Sequence, residues 1–258
     1  MNKKKPKILF SVISYETYSK IDELVEELNL FKKKLIKHKN KFTSKIIIFD
    51  DGSSSKTKLN LKKNFNKNEL LLFGKNLGYG GNVKRSFEYA TKFNYDFVAI
   101  FPADMQRKTD DLIQMTNKII LNHCDVIVGT KNIKKINGNF PLNRKLGNIV
   151  ISKMTKYLWN DKTKDPLSGF KIYKTVTCKD IIWLCQNRYG FDVDFSFWSS
   201  WKNLKIIDIN AYVSYKDHLT KIKSTSRQGL FLIFRILILG IFLKPTLTLL
   251  KKSFSEKF

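Results

Sequence analysis

At 258 residues the chain is long enough to bury the core of one large domain, or of one domain with an appendage. Its 48 Lys and Arg residues exceed its 22 Asp and Glu residues, and the formal charge of +26 favours a polyanionic partner such as an anionic membrane surface or a nucleic acid. Only six of the basic residues are Arg, which reads bases and phosphates with a planar fork, so the composition argues against sequence-specific nucleic-acid recognition. Compositional drift toward Lys and Asn is an alternative source of the surplus.

The cysteines Cys124, Cys178 and Cys185 are odd in number and contain no C-x-x-C pair. They predict neither a disulfide framework nor a zinc site, and they fit a reducing compartment. The N-terminus is basic, but its apolar run is interrupted early and is followed by Tyr15 and Glu16. This pattern is typical of a first strand rather than of a signal peptide.

Apolar runs and helical periodicity alternate through the first half of the chain. The pattern predicts strands at 7–14, 45–49, 70–73, 97–101 and 125–129, and helices at 19–37, from about 82 to about 93, and at 109–122. Ser19 is the expected N-cap of the first helix. Strands that alternate with helices predict an α/β fold with a mostly parallel sheet between two helical layers. The basic, Asn-rich stretch 131–146 is expected to be a long mobile loop.

Polar residues follow three of these strands, at 50–51, 76–81 and 102–106. Because open α/β sheets bind ligands at the carboxyl ends of their strands, we expect these groups to line one site. Pro102 should end its strand and leave Asp104 and Gln106 just outside it. Two oxygen ligands at this spacing suit a hard divalent cation held against a phosphate. A solvated strand-end turn is the alternative interpretation.

The glycines of the second polar segment, Gly78, Gly80 and Gly81, have the spacing G-x-G-G. The third glycine of the dinucleotide fingerprint is missing, and the segment follows the third strand rather than the first, which disfavours a nicotinamide cofactor. Glycines before a helix still present free N–H groups to a phosphate or a sugar. A tight glycine-rich turn without a ligand is the alternative.

Six motifs occur in family order: SVISYET at 11–17, IIIFDDGSSS at 46–55, NLGYGGNVKRSFEYA at 76–90, PADMQ at 102–106, DPLSGFKIY at 165–173 and YGFDVDFSF at 189–197. With them the chain resembles the inverting glycosyltransferases of family 2, which have the GT-A fold, and in particular the polyprenyl-phosphate (dolichyl-phosphate-type) members. The resemblance covers roughly residues 7–220. It implies an enzyme that uses a nucleotide-sugar and Mg²⁺ or Mn²⁺.

Carried over by motif, the resemblance implies a donor site and a metal. The implied donor-binding residues are Ser14, Glu16, Asp50, Asp51, Asn76, Gly78, Lys84 and Asp104. Asp104 takes the place of the last Asp in the family's D-x-D element and meets the donor diphosphate through the metal, with Gln106 assisting. Pro102 stands where the family commonly has the first Asp, so one expected carboxylate is absent.

The later motifs imply the acceptor side. The implied acceptor and phosphate ligands are Ser168, Gly169, Lys171, Lys216 and Lys221, the last two in a basic loop with His218 and Lys223. Asp194 occupies a place where relatives carry Glu and is the implied catalytic carboxylate together with Asp104. It would orient a lipid phosphate or deprotonate a hydroxyl. The run 191–197 is expected to be strand-like, so that Asp192 and Asp194 face one side; a solvated face is the alternative.

The stretch 229–243 is apolar except for Arg235. Fifteen residues are fewer than the roughly 20 that a membrane span needs, and continuing to Leu250 places Lys244 and Pro245 inside. We expect an interfacial or re-entrant helix with the basic flanks Lys221, Lys223, Arg227, Lys251 and Lys252. Packing on the catalytic core or in a homo-oligomer interface is the alternative. The predicted division is a catalytic domain at 1–223 and a membrane-associating tail at 224–258.

Together these features predict an enzyme at the cytoplasmic face of a membrane, attached peripherally or by a re-entrant segment. It would move one sugar with inversion from a UDP- or GDP-linked donor to a polyprenyl phosphate, with a divalent cation. Transfer to a hydroxyl of a surface glycan is the alternative within the enzyme class. A basic nucleic-acid-binding protein is the alternative of another class, although the aromatic residues lie mainly in apolar runs rather than between arginines.

Overall fold

A mixed sheet organises the molecule. The computed structural model describes residues 4–137, 142–214 and 225–255. Its strands are β1 (Lys7–Ser14), β2 (Thr43–Asp50), β3 (Leu70–Leu72), β4 (Phe97–Pro102), β5 (Val126–Asn137), β6 (Lys171–Lys174) and β7 (Ile206–Ser214). Within the described residues these form one seven-stranded sheet in the order β3-β2-β1-β4-β6-β5-β7. Strands β3, β2, β1 and β4 are parallel, β5 and β7 are parallel, and β6 runs antiparallel between β4 and β5.

Helices cover both faces of the sheet, as the alternating pattern predicts. They are α1 (Ile21–Ile36), α2 (Ser55–Asn64), α3 (Tyr79–Lys92), α4 (Thr109–Asn122), α5 (Leu142–Trp159), α6 (Thr175–Leu184), α7 (Phe191–Trp201), α8 (Thr225–Leu237) and α9 (Lys244–Ser255). Alternate residues of β1 belong to different cores: Phe10 packs with α1 and α4, and Leu9 with α3, α6 and α7. Chain connections leave β1 and β4 in opposite directions, so a topological switch point lies between these strands.

The structure changes three of the predicted boundaries. Ser19 lies inside a short 3₁₀ turn, Tyr18–Lys20, and α1 follows it without a side-chain N-cap, so the predicted cap is wrong. The second predicted helix, expected from about residue 82, begins earlier, because α3 starts at Tyr79. The predicted loop 131–146 is wrong as well, since β5 continues to Asn137 and α5 begins at Leu142, with 138–141 outside the described residues. This extension of β5 pairs with β7 across a register shift between Lys131 and Ile136.

The C-terminal helix consists of α8, a π-helical segment (Ile238–Leu243) and α9, residues 225–255. The apolar part of it is longer than predicted, because Arg227–Lys251 is a helix of 25 residues that is long and apolar enough to cross a membrane. Pro245 does not end it. A proline has no N–H to donate, and its ring crowds the carbonyl oxygen of the preceding turn. The wider π-helical turn just before Pro245 accommodates both effects, so the helix continues.

One face of the C-terminal helix packs on protein. Ile236 and Leu239 join Ile151 and Trp159 of α5 and Phe197 of α7 in a third apolar cluster. Leu232, Leu243 and Leu247 extend these contacts along the helix. The alternative of packing on the catalytic core therefore holds for one face. The predicted domain boundary at 223/224 lies outside the described residues and stays a prediction.

Candidate active site

The carboxyl ends of β1, β2 and β4 lie side by side, as the strand pattern predicts. In the sheet register Ser14 is opposite Asp50, and Ile13 is opposite Pro102. The Ser14 hydroxyl lies 3.5 Å from Oδ1 of Asp50. The structure thus brings Ser14, Asp50 and the turn after Pro102 to one edge of the sheet, beside the switch point where ligands of such folds bind.

Asp50 and Glu16 brace the loops that surround this edge. Asp50 is fully buried and accepts hydrogen bonds from the backbone N–H of Ser53, at 3.1 Å, and from its hydroxyl. Glu16 accepts hydrogen bonds from the Ser54 N–H at 2.6 Å, from the Ser54 hydroxyl at 2.9 Å and from Thr57 at 2.8 Å. These bonds tie the exit of β1 to the start of α2 and fix the walls of the predicted donor pocket.

Asp51 holds the glycine segment in place. Its carboxylate accepts the N–H groups of Leu77, at 3.0 Å, and Gly78, at 2.7 Å, and pairs with Arg85 at 2.9 Å. Burial raises the pKa of the Asp51 carboxyl, against the opposing effects of these N–H groups and of the Arg85 guanidinium. The Gly78 N–H, which the sequence analysis expected to be free for a phosphate or a sugar, is therefore bonded inside the protein.

The glycines allow a close approach between two protein segments. Gly78 has φ +86°, and a Cβ on Gly80 would lie 2.3 Å from the Gln186 carbonyl oxygen. The Gly81 N–H donates to the Asn187 carbonyl at 2.8 Å. The expectation of a free N–H group is wrong for Gly81, whose N–H is bonded to Asn187, and the chain before α7 fills the space beside Gly80.

Lys84 and Asn76 contact the same segment. The Lys84 ammonium donates to the Cys185 carbonyl at 2.5 Å and to Oδ1 of Asn187 at 2.8 Å. The Asn76 carbonyl accepts from the Arg188 guanidinium at 3.5 Å. In this structure Lys84 positions the chain between α6 and α7, and its role as a donor ligand stays a prediction.

The turn after β4 presents the predicted metal ligands. Asp104 is half-buried, and one carboxylate oxygen accepts the Gln106 N–H at 3.1 Å. The side-chain Nε2 of Gln106 is buried without a hydrogen-bond partner. Rotating the amide by 180° exchanges its nitrogen and oxygen, so that the oxygen occupies this position and can bind a cation. Among the described residues no group of three or more His, Cys, Asp or Glu is arranged to hold a metal ion. One carboxylate and one amide fit an ion that takes its other ligands from a diphosphate and water.

The S-G-F-K turn, residues 168–171, lies next to this site because Lys171 is opposite Ile100 of β4. The Ser168 hydroxyl donates to the Gly129 carbonyl at 2.7 Å, and the Tyr79 hydroxyl donates to the Gly169 carbonyl at 3.0 Å. Ser168 is nearly fully buried. In this structure Ser168 and Gly169 shape the turn through these internal bonds.

Arg107 connects the two turns, and the sequence analysis missed it. Its guanidinium donates to the Tyr212 carbonyl at 3.3 Å, lies 3.5 Å from the Ser168 hydroxyl and stacks over the Phe170 ring at 5.4 Å. Arg107 is 6% exposed. Its position directly after the Asp104–Gln106 turn, in a chain with only six Arg residues, is the sequence signal that could have identified it.

Asp192 is a second residue at the site to which the sequence analysis gave no role. It lies in the first turn of α7 and forms an ion pair with Lys171, whose side chain is 2% exposed against 13% for Asp192. Burial raises the pKa of the Asp192 carboxyl, although the Lys171 ammonium opposes the rise. The Lys171 ammonium is thus neutralised by Asp192 in this structure, and its role as an acceptor ligand stays a prediction.

The expectation that 191–197 is a strand is wrong, because these residues form α7. A helix turns by about 100° per residue, so Asp192 and Asp194 point to different sides. Asp194 is fully buried, and its two oxygens accept from Arg235 of the C-terminal helix at 2.8 and 3.2 Å. A third bond comes from the Gln186 N–H at 2.9 Å. Its geometry is that of a buried structural anion, while Asp192 faces the turn that borders the sheet edge. Lys216, His218, Lys221 and Lys223 lie outside the described residues.

The fold and site define a GT-A-type α/β enzyme, and comparison with known proteins agrees. The model of the family "Glycosyl transferase family 2" matches residues 12–182, about two thirds of the chain. The chain belongs to glycosyl transferase family 2. It is a nucleotide-sugar-dependent glycosyltransferase, which replaces the alternative that it is primarily a nucleic-acid-binding protein.

Individual proteins show how far the similarity extends. The chain is 23% identical over 202 residues to an uncharacterized protein of Methanocaldococcus jannaschii, covering 76% of this chain and 81% of that protein. It is 28% identical over 151 residues to the UDP-N-acetylglucosamine–dolichyl-phosphate N-acetylglucosaminyltransferase of Methanococcus voltae, covering 52% of this chain and 60% of that protein.

A solved structure confirms the fold. Glucosyl-3-phosphoglycerate synthase from Mycobacterium tuberculosis, in complex with Mn²⁺, UDP and glucosyl-3-phosphoglycerate, superposes with a TM-score of 0.62 at 11% identity. The match covers 91% of this chain and 80% of that chain. It includes more of the chain than the family model does.

Proposed function

We propose that this glycosyltransferase moves one sugar, with inversion, from a UDP- or GDP-linked donor to a polyprenyl phosphate at the cytoplasmic face of a membrane. The observation that carries the proposal is the C-terminal helix. Its inner face packs on α5 and α7, while Leu230, Phe234 and Phe242 are 69%, 65% and 67% exposed. A lipid-linked acceptor resides in a membrane, and an apolar helix with basic ends binds a membrane surface.

The packing of the C-terminal helix favours a peripheral or re-entrant attachment. At about 1.5 Å per residue its apolar part is roughly 37 Å long, enough for a span. Contacts from Leu232 to Leu247 nevertheless hold it alongside the catalytic core, and the Lys244 ammonium donates to the Leu158 carbonyl at 2.6 Å. Leaving the core to cross the bilayer would break these contacts.

The similar proteins support a UDP-sugar as the first donor to test. The Methanococcus voltae relative is a UDP-N-acetylglucosamine–dolichyl-phosphate N-acetylglucosaminyltransferase by name, and the Mycobacterium tuberculosis structure contains UDP. The bracing of Asp50, Asp51 and Glu16 gives this chain a preformed pocket wall at the sheet edge. Preformed walls reduce the ordering cost of binding.

A divalent cation fits the turn after β4. Asp104 and Gln106 would hold Mg²⁺ or Mn²⁺, and the Mycobacterium tuberculosis structure contains Mn²⁺. When bound, such an ion offsets the negative charge of the departing diphosphate. With Pro102 in place of a second carboxylate, the site relies more strongly on diphosphate and water ligands.

The acceptor side suits a phosphate nucleophile. A phosphate oxygen is already anionic, so inversion requires in-line placement rather than a strong base. The Lys171–Asp192 pair borders this side, and we assign it to orienting the acceptor. Lys216 and Lys221 remain proposed phosphate ligands.

Transfer to a glycan hydroxyl is the second candidate function, and Asp192 is the observation that favours it. A hydroxyl must lose a proton, and a carboxylate with a raised pKa is a better proton acceptor than an ordinary Asp. In that reaction Asp192, rather than the buried Asp194, would be the base.

A donor and acceptor matrix tests both candidates. The full-length enzyme in detergent with Mg²⁺ or Mn²⁺ is offered UDP-N-acetylglucosamine, UDP-glucose and GDP-mannose, each with a polyprenyl phosphate or a soluble oligosaccharide. We expect nucleoside diphosphate release that depends on the polyprenyl phosphate, and an acid-labile glycolipid of inverted anomeric configuration. An Asp104→Asn variant is the matched control, since it should lose this release. Nucleoside diphosphate release that requires the oligosaccharide and not the polyprenyl phosphate would instead support transfer to a glycan hydroxyl.

A further inference from the structure

The outward face of α5 is apolar and basic. Leu146, Ile149, Val150 and Tyr157 are 54%, 44%, 45% and 89% exposed. Spacings of three, four and eleven residues from Leu146 place them on one side of the helix. Lys153 and Lys156 lie between them and Lys145 directly before them, and all three lysines are exposed. The sequence analysis treated part of this segment as a loop and assigned it no function.

The inner face of α5 contacts the C-terminal helix. Ile151 and Trp159 share a buried cluster with Ile236 and Leu239. The two helices approach so closely that a Cβ on Gly240 would lie 2.8 Å from the Leu158 side chain. Both helices also pack on Val193 and Phe197 of α7, so they lie side by side on one support.

The charge of these two helices has one sign. Residues 142–159 and 225–255 contain no Asp or Glu, in a chain that has 22, and they carry nine Lys and Arg. Most of those on the outward faces, such as Lys153, Lys156 and Lys251, are exposed. Two copies of such a surface would repel each other, whereas long Lys side chains reach anionic headgroups while their stems stay in apolar surroundings.

We propose that α5 and the C-terminal helix form one two-helix docking face for an anionic lipid bilayer, with α5 as a second membrane-contacting element. The inference deepens the proposed function, which requires only the C-terminal helix at the membrane. Because Leu167, directly before Ser168, packs on the cluster that α5 shares with the C-terminal helix, this attachment places the acceptor side of the site near the lipid surface.

Vesicle sedimentation of the full chain tests the proposal. Wild type, Ile149→Glu/Val150→Glu and Lys153→Glu/Lys156→Glu are mixed with vesicles of phosphatidylcholine alone or with phosphatidylglycerol. We expect at least a tenfold lower partition coefficient of both variants on the anionic vesicles, with the C-terminal helix intact. Leu121→Glu is the matched control: Leu121 is 75% exposed on α4, and this change should leave partitioning at the wild-type value. Circular dichroism and nucleotide binding confirm that each variant is folded.

Two results would overturn the proposal. Wild-type partitioning of both α5 variants would remove α5 from the docking face. A wild-type dimer in light scattering that Ile149→Glu/Val150→Glu converts to monomer would assign the face to a second copy. Neither result depends on which acceptor is glycosylated, so a failure of polyprenyl phosphate as acceptor is distinguishable from a failure of α5 docking.

Discussion

Arg235 of the C-terminal helix and Asp194 of α7 form a two-bond ion pair, with Nε and Nη2 of Arg235 at 2.8 and 3.2 Å from the two carboxylate oxygens. The Arg235 side chain is 26% exposed and that of Asp194 is not exposed. Asp194 also accepts the Gln186 N–H, and the neighbouring Asn187 accepts the Gly81 N–H. One continuous set of bonds thus connects the C-terminal helix to the start of α3.

Replacing Arg235 by Met should destabilise the fold, because it leaves the Asp194 charge buried without a cation while keeping most of the apolar volume. Removal of one partner from a buried pair costs about 3 kcal/mol or more. We expect a lower Tm in thermal unfolding and a raised KM for the donor, whereas Lys251→Met, an exposed change on the same helix, should leave both unchanged. An unchanged Tm for Arg235→Met would mean that the pair contributes no stability.

Asp104→Asn should abolish most transfer while the protein stays folded. Asp104 is half-buried and accepts a hydrogen bond from the Gln106 N–H, which the amide oxygen of the substituted Asn can also accept. The proposed position of Asp104 opposite the donor diphosphate predicts that loss of its charge lowers kcat on the order of a hundredfold. The check is nucleoside diphosphate release together with circular dichroism. Asp51→Asn is the contrast, since weakening the Arg85 pair should lower the Tm as well. Near-normal turnover of Asp104→Asn would contradict the donor-site assignment.

Pro102→Asp should lower the metal concentration needed for half-maximal activity. The substitution supplies a carboxylate at the position where the family commonly carries one, and a second carboxylate strengthens binding of a hard cation. Pro102 is the last residue of β4, so the ladder inside the strand is retained. Mg²⁺ and Mn²⁺ titrations of activity, with Asp104→Asn/Pro102→Asp as the control, measure the effect. Identical titrations of Pro102→Asp and wild type would argue against a metal at this turn.

Asp192 should set the acidic limb of the pH profile when the acceptor is a hydroxyl. A carboxylate base works only when deprotonated, so activity falls as the pH drops through its pKa. Burial raises that pKa above the ordinary value of 3.8, and the limb should therefore lie at higher pH than for an exposed Asp. The profile of kcat/KM should lose this limb in Asp192→Asn and keep it in Asp194→Asn. A limb that survives in Asp192→Asn would assign the titration to another group.

Much of the parallel half of the fold follows from local rules. The continuous apolar run 97–101 followed by Pro102 predicts a buried strand that ends where β4 ends, and the polar residues after it lie at the sheet edge as expected. The helix 109–122 has the predicted bounds, since its periodicity is strong.

Pairings between distant residues could not be predicted. Arg235 and Asp194 are 41 positions apart, and one sequence does not say which cation neutralises which carboxylate. The run at 191–197 is apolar or aromatic at most positions, and such a run fits a buried helix as well as a strand. The period of this run was therefore misjudged, whereas the catalytic role of Asp194 was implied by the family resemblance and stays a prediction.

Truncation after Ser226, which tests the C-terminal helix in its simplest form, would also remove the cover from Ile151, Trp159 and Phe197 and the partner of Asp194. We expect the truncated protein to aggregate or unfold, so truncation cannot isolate the membrane function. A sharper variant replaces the outward residues Leu230, Phe234 and Phe242 by Gln and keeps the packed Ile236 and Leu239.

The triple variant should stay folded with a wild-type Tm and bind donor normally, because the three side chains are 69%, 65% and 67% exposed in the folded chain. Partial insertion of three such side chains into a bilayer contributes about 3 kcal/mol, equivalent to roughly a hundredfold in partitioning. We therefore expect loss of sedimentation with anionic vesicles and loss of transfer to a polyprenyl phosphate embedded in them, with transfer to a detergent-dispersed acceptor retained. Leu59→Gln, on exposed α2, is the control. Wild-type sedimentation of the triple variant would show that the outward face of the C-terminal helix does not bind the bilayer.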